Sequence, residues 1–251
     1  SRTVSNYRFL YELRLSRDKE FKRIYMKYDP DLLEYISHTL ANELGIWSPS
    51  VQHIKTPCGG ITFMDSIDGI PLCNLFEYQD GKLNLLCEYH HYNDFILSAL
   101  ARTSAYCDII GKSDRNPGIA YGMKDNSCNY FININEGNTK ICALDFEYVC
   151  SNDIFLRSAT RKGWSEIALL PALIAHTNKK LSQGLLQFTE KYLQIWAVLT
   201  SSIQLIAKKY SASVTKILDN IVNFALNRIN HLPPLAYYLA DLAHYIERSI
   251  L

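Results

Sequence analysis

In the first quarter of the chain, apolar positions follow the alternation of strands. Tyr7 to Leu15 (YRFLYELRL) sets aromatic and aliphatic residues at roughly every second place. Ser16 to Glu20 (SRDKE) is a polar turn, and Phe21 to Tyr28 (FKRIYMKY) predicts a second strand that closes an antiparallel hairpin. Asp29-Pro30 ends that strand, and Asp31 is placed to cap or enter a helix over Leu32 to Leu44, with Gly45 just past its end. Leu33, Ile36, Leu40 and Leu44 recur at spacings of three and four, which gives this helix one apolar face. Ser50 to Lys55 and Ile61 to Ser66 predict two further strands around the turn Thr56-Pro57-Cys58-Gly59-Gly60. Strands, helix and hairpin close a small α+β unit near residue 68, and the segment after Asp68-Gly69-Ile70-Pro71 reads as a linker.

Beyond it the periodicity becomes helical. Tyr92 to Cys107 has the pattern of a core helix, and residues 108–122 form an irregular loop dense in Gly, Asp and Asn. Asn129 to Asn135 and Lys140 to Phe146 flank Glu136-Gly137-Asn138, a hairpin signature. From Trp164 onward four helices are predicted, over 164–175, 181–207, 211–229 and 235–250, punctuated by Pro171 and Pro233-Pro234. The longest nearly apolar stretch, Leu193 to Ala207, is interrupted by Gln194, Thr200, Ser201, Ser202 and Gln204. A membrane span takes about 20 predominantly apolar residues, so this segment is read as a buried or half-buried helix and no transmembrane segment is expected. Leu235 to Ile250 is apolar around much of its circumference, as a deep core helix or a docking surface for a partner or a second copy would be.

Composition narrows the classes. With 48% hydrophobic and 20% charged residues in 251, the chain is globular, and neither disordered nor collagen-like. A net charge of +1 gives no nucleic-acid or acidic-lipid signal. The seven cysteines are odd in number, widely spread and without a CxxC pair, which argues against zinc and against a disulfide framework. A reducing compartment is therefore expected, cytoplasmic or otherwise intracellular, with delivery into another cell left open. No basic-then-apolar leader is visible in the residues given. The adjacent His90-His91 is read as a surface feature, and His38, His53, His176, His231 and His244 form no HExxH arrangement. There is no Gly-x-Ser-x-Gly elbow.

Chemistry concentrates in two places. Gly111-Lys-Ser-Asp-Arg-Asn-Pro-Gly118 lies between a helix and a strand, and the next strand ends in Ala143-Leu-Asp-Phe-Glu147. A carboxylate at the mouth of an apolar strand must be paired, hydrogen-bonded or metal-bound. Asp114 and Asp145 could thus converge on one cleft, one orienting a hydroxyl nucleophile and the other holding a divalent cation against phosphate oxygens. Each also has an ordinary reading, as a turn residue or a hairpin cap. Lys27 sits in the middle of an apolar and aromatic strand and needs a partner. Glu34, in the first turn of the following helix, or nucleotide phosphates would serve. Alternatively the strand is an edge and Lys27 guards it from solvent. Glu43, on another helical face, is the poorer partner.

Tyr25-Met-Lys27, the helix with Glu34, Leu44-Gly-Ile-Trp-Ser-Pro49, Met64-Asp-Ser-Ile-Asp-Gly69, Gly111-Lys-Ser-Asp-Arg-Asn-Pro-Gly-Ile119 and Leu144-Asp-Phe-Glu147 stand in one order across residues 20–150. In that order they resemble a divergent protein-kinase-like fold, and within it the atypical members: phosphoinositide 3- and 4-kinases and bacterial toxin-type serine kinases. The resemblance implies an α+β, two-lobed fold with a small β-rich N-lobe over residues 1–69 and a mainly helical C-lobe over residues 70–251. It implies that Lys27 holds the nucleotide α- and β-phosphates and that Glu34 orients it. Met64, Asp65 and Ser66 begin the hinge that offers backbone hydrogen bonds to a purine. Asp114 addresses the acceptor hydroxyl, Arg115 pairs with a carboxylate or the transferring phosphoryl group, and Asp145 coordinates Mg²⁺. The implied cofactors are ATP with Mg²⁺, or Mn²⁺. The implied reaction moves the γ-phosphate to a hydroxyl, on a protein acceptor in preference to a lipid or small molecule. A pseudokinase, retained as a nucleotide-binding or protein-interaction module, is the alternative, with association through the C-terminal helices.

Three departures bear on that choice. The place five after Asp114, where the resemblance implies a second metal-ligating Asn, is Ile119, and Asn116 is the substitute nearest to hand. The Gly expected after Asp145-Phe146 is Glu147, a replacement metal ligand or a block to the backbone. No glycine-rich phosphate loop precedes Lys27, the turn there being Ser16 to Glu20.

Overall fold

The computed structural model describes residues 8–14, 21–29, 31–57, 59–79, 82–112, 129–146, 149 and 169–210. The N-terminal lobe is a four-stranded antiparallel sheet in the order β1-β2-β4-β3, formed by β1 (Arg8–Arg14), β2 (Phe21–Tyr28), β3 (Val51–Thr56) and β4 (Gly59–Asp65). Strand β2 pairs on both sides, Lys27 lying opposite Arg8 on β1 and Thr62 on β4. The edge-strand reading of Lys27 is thereby overturned. A lysine in an interior strand cannot reach water along the sheet edge, so its charge has to be met within the fold.

Helix α1 (Leu33–Glu43) connects β2 to β3. Ile36, Leu40 and Leu44 are buried as the spacing predicts. Its start differs from the expectation: Asp31 does not cap it. Leu32 occupies the N-cap at φ 60°, and the Asp29 carboxylate reaches past it to accept the N–H groups of Glu34 at 3.3 Å and Tyr35 at 3.0 Å. Two of the unpaired donors at the helix start are satisfied in this way. Asp29 is fastened in turn: Thr62 Oγ1 donates to its carboxylate at 2.7 Å and its own N–H donates to Gly60 O at 2.8 Å. One residue therefore ties the end of β2, the first turn of α1 and strand β4 together. The helix ends as Gly45 promises. Gly45 adopts φ 64°, Ile46 N–H reaches back to Ala41 O and Gly45 N–H to Asn42 O, the paired bonds of a Schellman terminus.

The linker expected after Asp68-Gly69-Ile70-Pro71 is structured instead, and the ordered elements begin within that tetrapeptide. β5 (Ile70–Pro71) pairs with a later strand, a 3-10 turn covers Leu72–Leu75, β6 (Phe76–Gln79) and β7 (Lys82–Leu85) make a hairpin, and a second 3-10 turn covers Cys87–Tyr92. Leu72, Leu75 and Leu85 are buried, and that apolar anchoring is what holds so short a run of elements in place. Gly69 is required where the chain crosses here, since a Cβ would lie 2.7 Å from Ile132 O.

Helix α2 (Asn93–Ile109) is the core of the C-terminal lobe. β8 (Tyr130–Asn133) and β9 (Lys140–Ala143) form the predicted hairpin around Gly137 at φ 72°, and β5 completes a three-stranded sheet in the order β5-β8-β9. Helix α3 (Leu169–Ile174) carries Pro171 in its first turn, where its missing N–H removes no helical bond. Helix α4 (Leu181–Tyr210) packs Leu185, Phe188, Tyr192, Trp196, Leu199 and Ile203 into the core. Among the described residues no helix is long and apolar enough to cross a membrane. The result is a β-rich N-lobe and a mainly helical C-lobe, the kinase-like division that the resemblance implies. The helices predicted over 211–229 and 235–250 lie outside the described residues.

Cysteine usage departs from the expectation. Cys73 is disulfide-bonded, while Cys87, Cys107 and Cys142 are free thiols. Spacing along the chain gave no pair because a disulfide depends on Cα separation in space.

Candidate functional site

Three charged side chains, one of them 118 residues on from Lys27, meet at the junction of the lobes. Lys27 Nζ from β2 contacts Glu34 Oε1 from α1 and lies 2.6 Å from Asp145 Oδ1, just past β9. All three are buried, at 3, 1 and 6% exposure. The helix brings Glu34 there because it starts immediately after β2, held by Asp29.

Asp145 takes φ 68°, a left-handed conformation that an Asp tolerates better than most residues, and this ends the extension of β9. Three hydrogen bonds among the described residues hold the turn. Lys112, at the end of α2, donates to Asp145 O and to Leu144 O at 3.2 Å, and the following N–H, of Phe146, donates to Glu34 Oε1 at 2.7 Å. Lys112 Nζ also lies 4.7 Å from the centre of the Phe146 ring. The buried charge is thus met locally: Lys27 pairs with Glu34 and Asp145, and Lys112 is held by the backbone carbonyls of Leu144 and Asp145.

The second oxygen of each carboxylate is occupied differently. Asn129, immediately ahead of β8, donates its amide N–H to Asp145 Oδ2 at 3.2 Å. Glu34 Oε2 faces His38 Nε2 one helical turn on, at 3.3 Å. His38 is fully buried, its Nδ1 is 2.7 Å from Ser48 Oγ, and its ring meets that of Phe146 edge to face at 4.9 Å.

Burial by itself would raise the pKa of Glu34. The contact with His38 and the charge and hydrogen bond of Lys27 outweigh it and bring the pKa down to about 2. For Lys27, burial pushes toward the neutral form, but Glu34 and Asp145 overcome it through charge and hydrogen bonding and raise the pKa above the ordinary lysine value. Both groups are ionised at neutral pH.

Of the residues singled out in the sequence, the structure brings Lys27, Glu34 and Asp145 together. Met64 lies opposite Tyr25 and Val51 in the middle of the sheet. Asp65 N–H donates to Ser50 O at 3.0 Å and Ser66 N–H to Arg23 O at 3.1 Å. These two N–H groups are taken up by the sheet. Asp114, Arg115, Asn116, Ile119 and Glu147 lie outside the described residues. Asn129, Lys112 and His38 were not anticipated. The signal for Asn129 was its place directly before an apolar strand, which a fixed count from Asp114 passed over. Tyr25 shares the face of β2 that carries Lys27 and is 37% exposed between that lysine and the end of β4.

Among the described residues no group of three or more His, Cys, Asp or Glu side chains is arranged to hold a metal. Asp145 and Asn129 do supply a carboxylate and an amide, an oxygen-bearing pair of the kind that Mg²⁺ accepts when phosphates and water complete its shell.

No protein-family model and no curated protein matches the chain. Solved structures similar to it include the Helicobacter pylori proinflammatory kinase CtkA, at 10% identity and a TM-score of 0.44, covering 95% of this chain and 95% of that one. WaaP in complex with acyl carrier protein matches at 10% identity and a TM-score of 0.40, over 92% of this chain and 88% of that one. A chain of the HipA, HipB and operator DNA complex from the toxin–antitoxin system of Shewanella oneidensis MR-1 matches at 10% and 0.42, over 95% of this chain and 67% of that one. Likenesses at this level carry nothing about substrate or reaction.

Proposed function

We propose that this chain binds ATP with a divalent cation between its lobes and transfers the γ-phosphate to a hydroxyl on a protein acceptor. The observation that supports the reading is the buried triad itself: one lysine held by two carboxylates from different lobes, with Asn129 on the second oxygen of Asp145. A triphosphate needs fixed positive charge where its own charge lies, and Lys27 provides it from a rigid strand. Glu34 keeps that ammonium in place and charged. Asp145 and Asn129 would hold Mg²⁺, which when bound neutralises phosphate charge. Asp114 is assigned the acceptor hydroxyl and Arg115 the phosphoryl group, with Asn116 and Glu147 as further cation ligands; these four assignments rest on sequence alone. The purine would lie on the Lys27 face of the sheet, toward Tyr25, Met64 and the backbone beyond Ser66.

The test is thermal stabilisation by ATP with Mg²⁺ or Mn²⁺, together with transfer of labelled phosphate to the protein itself or a generic protein acceptor. Wild type is expected to gain stability and to transfer label, and Asp145→Asn to lose both. Stabilisation without transfer would support the alternative, a nucleotide-binding or protein-interaction module. Absence of both effects in wild type would end the nucleotide reading.

A further inference from the structure

His38 is a polar residue where the middle of a core helix would ordinarily carry an aliphatic one. It has no exposed surface and lies between three parts of the fold: Glu34 on its own helix, Ser48 in the segment entering β3, and Phe146 beside Asp145. Its two nitrogens face groups of different kind. Nε2 is 3.3 Å from Glu34 Oε2, an ionised carboxylate that can only accept a proton. Both atoms are buried and neither makes another hydrogen bond among the described residues, so at 3.3 Å each is left facing the other. Nδ1 is 2.7 Å from the Ser48 hydroxyl, which can donate. A ring protonated at Nε2 alone satisfies both neighbours without adding charge to the core: Ser48 O–H donates to Nδ1, and Nε2–H donates to Glu34.

We infer that His38 is a positioning residue that fixes the Glu34 carboxylate by donating from Nε2, and through it holds Lys27 at its place in the cleft. Glu34 uses its other oxygen for Lys27 and for the Phe146 N–H, so the orientation of one carboxylate sets both contacts. A carboxylate anchored through one oxygen only would swing about its terminal bonds. With the second oxygen held, the ammonium has one site. The inference rests on the proposed function only in saying what the held lysine is for; the arrangement itself can be read without nucleotide.

Two variants separate the polar role from mere packing. Gln at this position can offer an N–H near the place of Nε2, whereas Leu fills the space and offers none. Folding of each is checked by circular dichroism. Long-range proton–nitrogen spectra of the nucleotide-free wild type should show His38 protonated at Nε2 and bare at Nδ1. Acylation of Lys27, followed by mass spectrometry without nucleotide, should be about tenfold faster in His38→Leu and near wild type in His38→Gln, the range that loss of one hydrogen bond to a charged group allows. If ATP binds, its affinity should fall in the same order and again be rescued by Gln. A ring carrying its proton on Nδ1 alone, or equal Lys27 acylation in the Leu and Gln variants, would overturn the inference. Failure of wild type to bind ATP would instead count against the functional reading, and the tautomer and acylation results would still decide the role of His38.

Discussion

Replacing Lys27 with Met removes the cation that touches both Glu34 and Asp145 and leaves two buried carboxylates facing a thioether chain. Breaking a buried pair by deleting one partner costs about 3–5 kcal/mol, because the partner left behind keeps its desolvation penalty. For a chain of this length that corresponds to a fall in Tm on the order of 10 °C at pH 7. The loss should depend on pH in a particular direction. In wild type Glu34 stays ionised until the pH approaches about 2. Without Lys27, burial pushes its carboxyl toward the neutral form, and by pH 5 protonation relieves much of the unpaired charge. Urea melts of wild type and Lys27→Met should therefore differ by about 3–5 kcal/mol at pH 7 and by clearly less at pH 5. The double variant Lys27→Met/Glu34→Gln should recover part of the loss at pH 7. An equal deficit at both pH values, or a deficit under about 1 kcal/mol, would refute the argument that paired charge dominates at this site.

Further outcomes follow from the same geometry. Glu34 contributes stability that is complete above the ordinary glutamate pKa of 4.5 and is lost as pH falls toward about 2, so acid melts should lose up to about 3 kcal/mol in that window and Glu34→Gln should flatten it. Lys27, with its pKa raised, holds its contribution throughout the neutral range and releases it only above pH 10.5. Gly69→Ala brings a Cβ to 2.7 Å from the Ile132 carbonyl, a backbone atom that cannot turn away; a loss of about 1–3 kcal/mol is expected in urea melts, and a neutral result would mean the chain crossing at Gly69 is looser than described. Reducing agent should lower Tm through Cys73, and Cys73→Ser should be low without it.

How far the fold could be read in advance depended on how much of each element's cause is local. Strands β1 to β4 and helix α1 carry their own alternation, turn residues and terminal glycine, and their bounds were legible to within a residue or two. The stretch from Ile70 to Tyr92 was not, because two- and four-residue strands are too short to show a period and owe their form to leucines anchored in a core built by other segments. The same division runs through the site. Lys27 and Asp145 each broke the apolar pattern of a strand and were visible for that reason. Asn129 was hidden because its role is set by where β8 begins, which a count along a loop cannot tell. His38 looked like one of several scattered histidines, since only the helix turn shows that it stands over Glu34. Cys73 could be paired only in space.

The mooring at Asp29 has a mechanical consequence. A helix gripped at its first turn by the strand before it and the strand beside it can pivot about that end but cannot slide or swing out bodily. Glu34 sits in the gripped turn, so drawing it off Lys27 means unseating Asp29 as well. Any natural on–off control would then act more cheaply on the stretch that bears Asp145, whose reversed backbone is kept by a few bonds from Lys112 and Glu34, than on the helix.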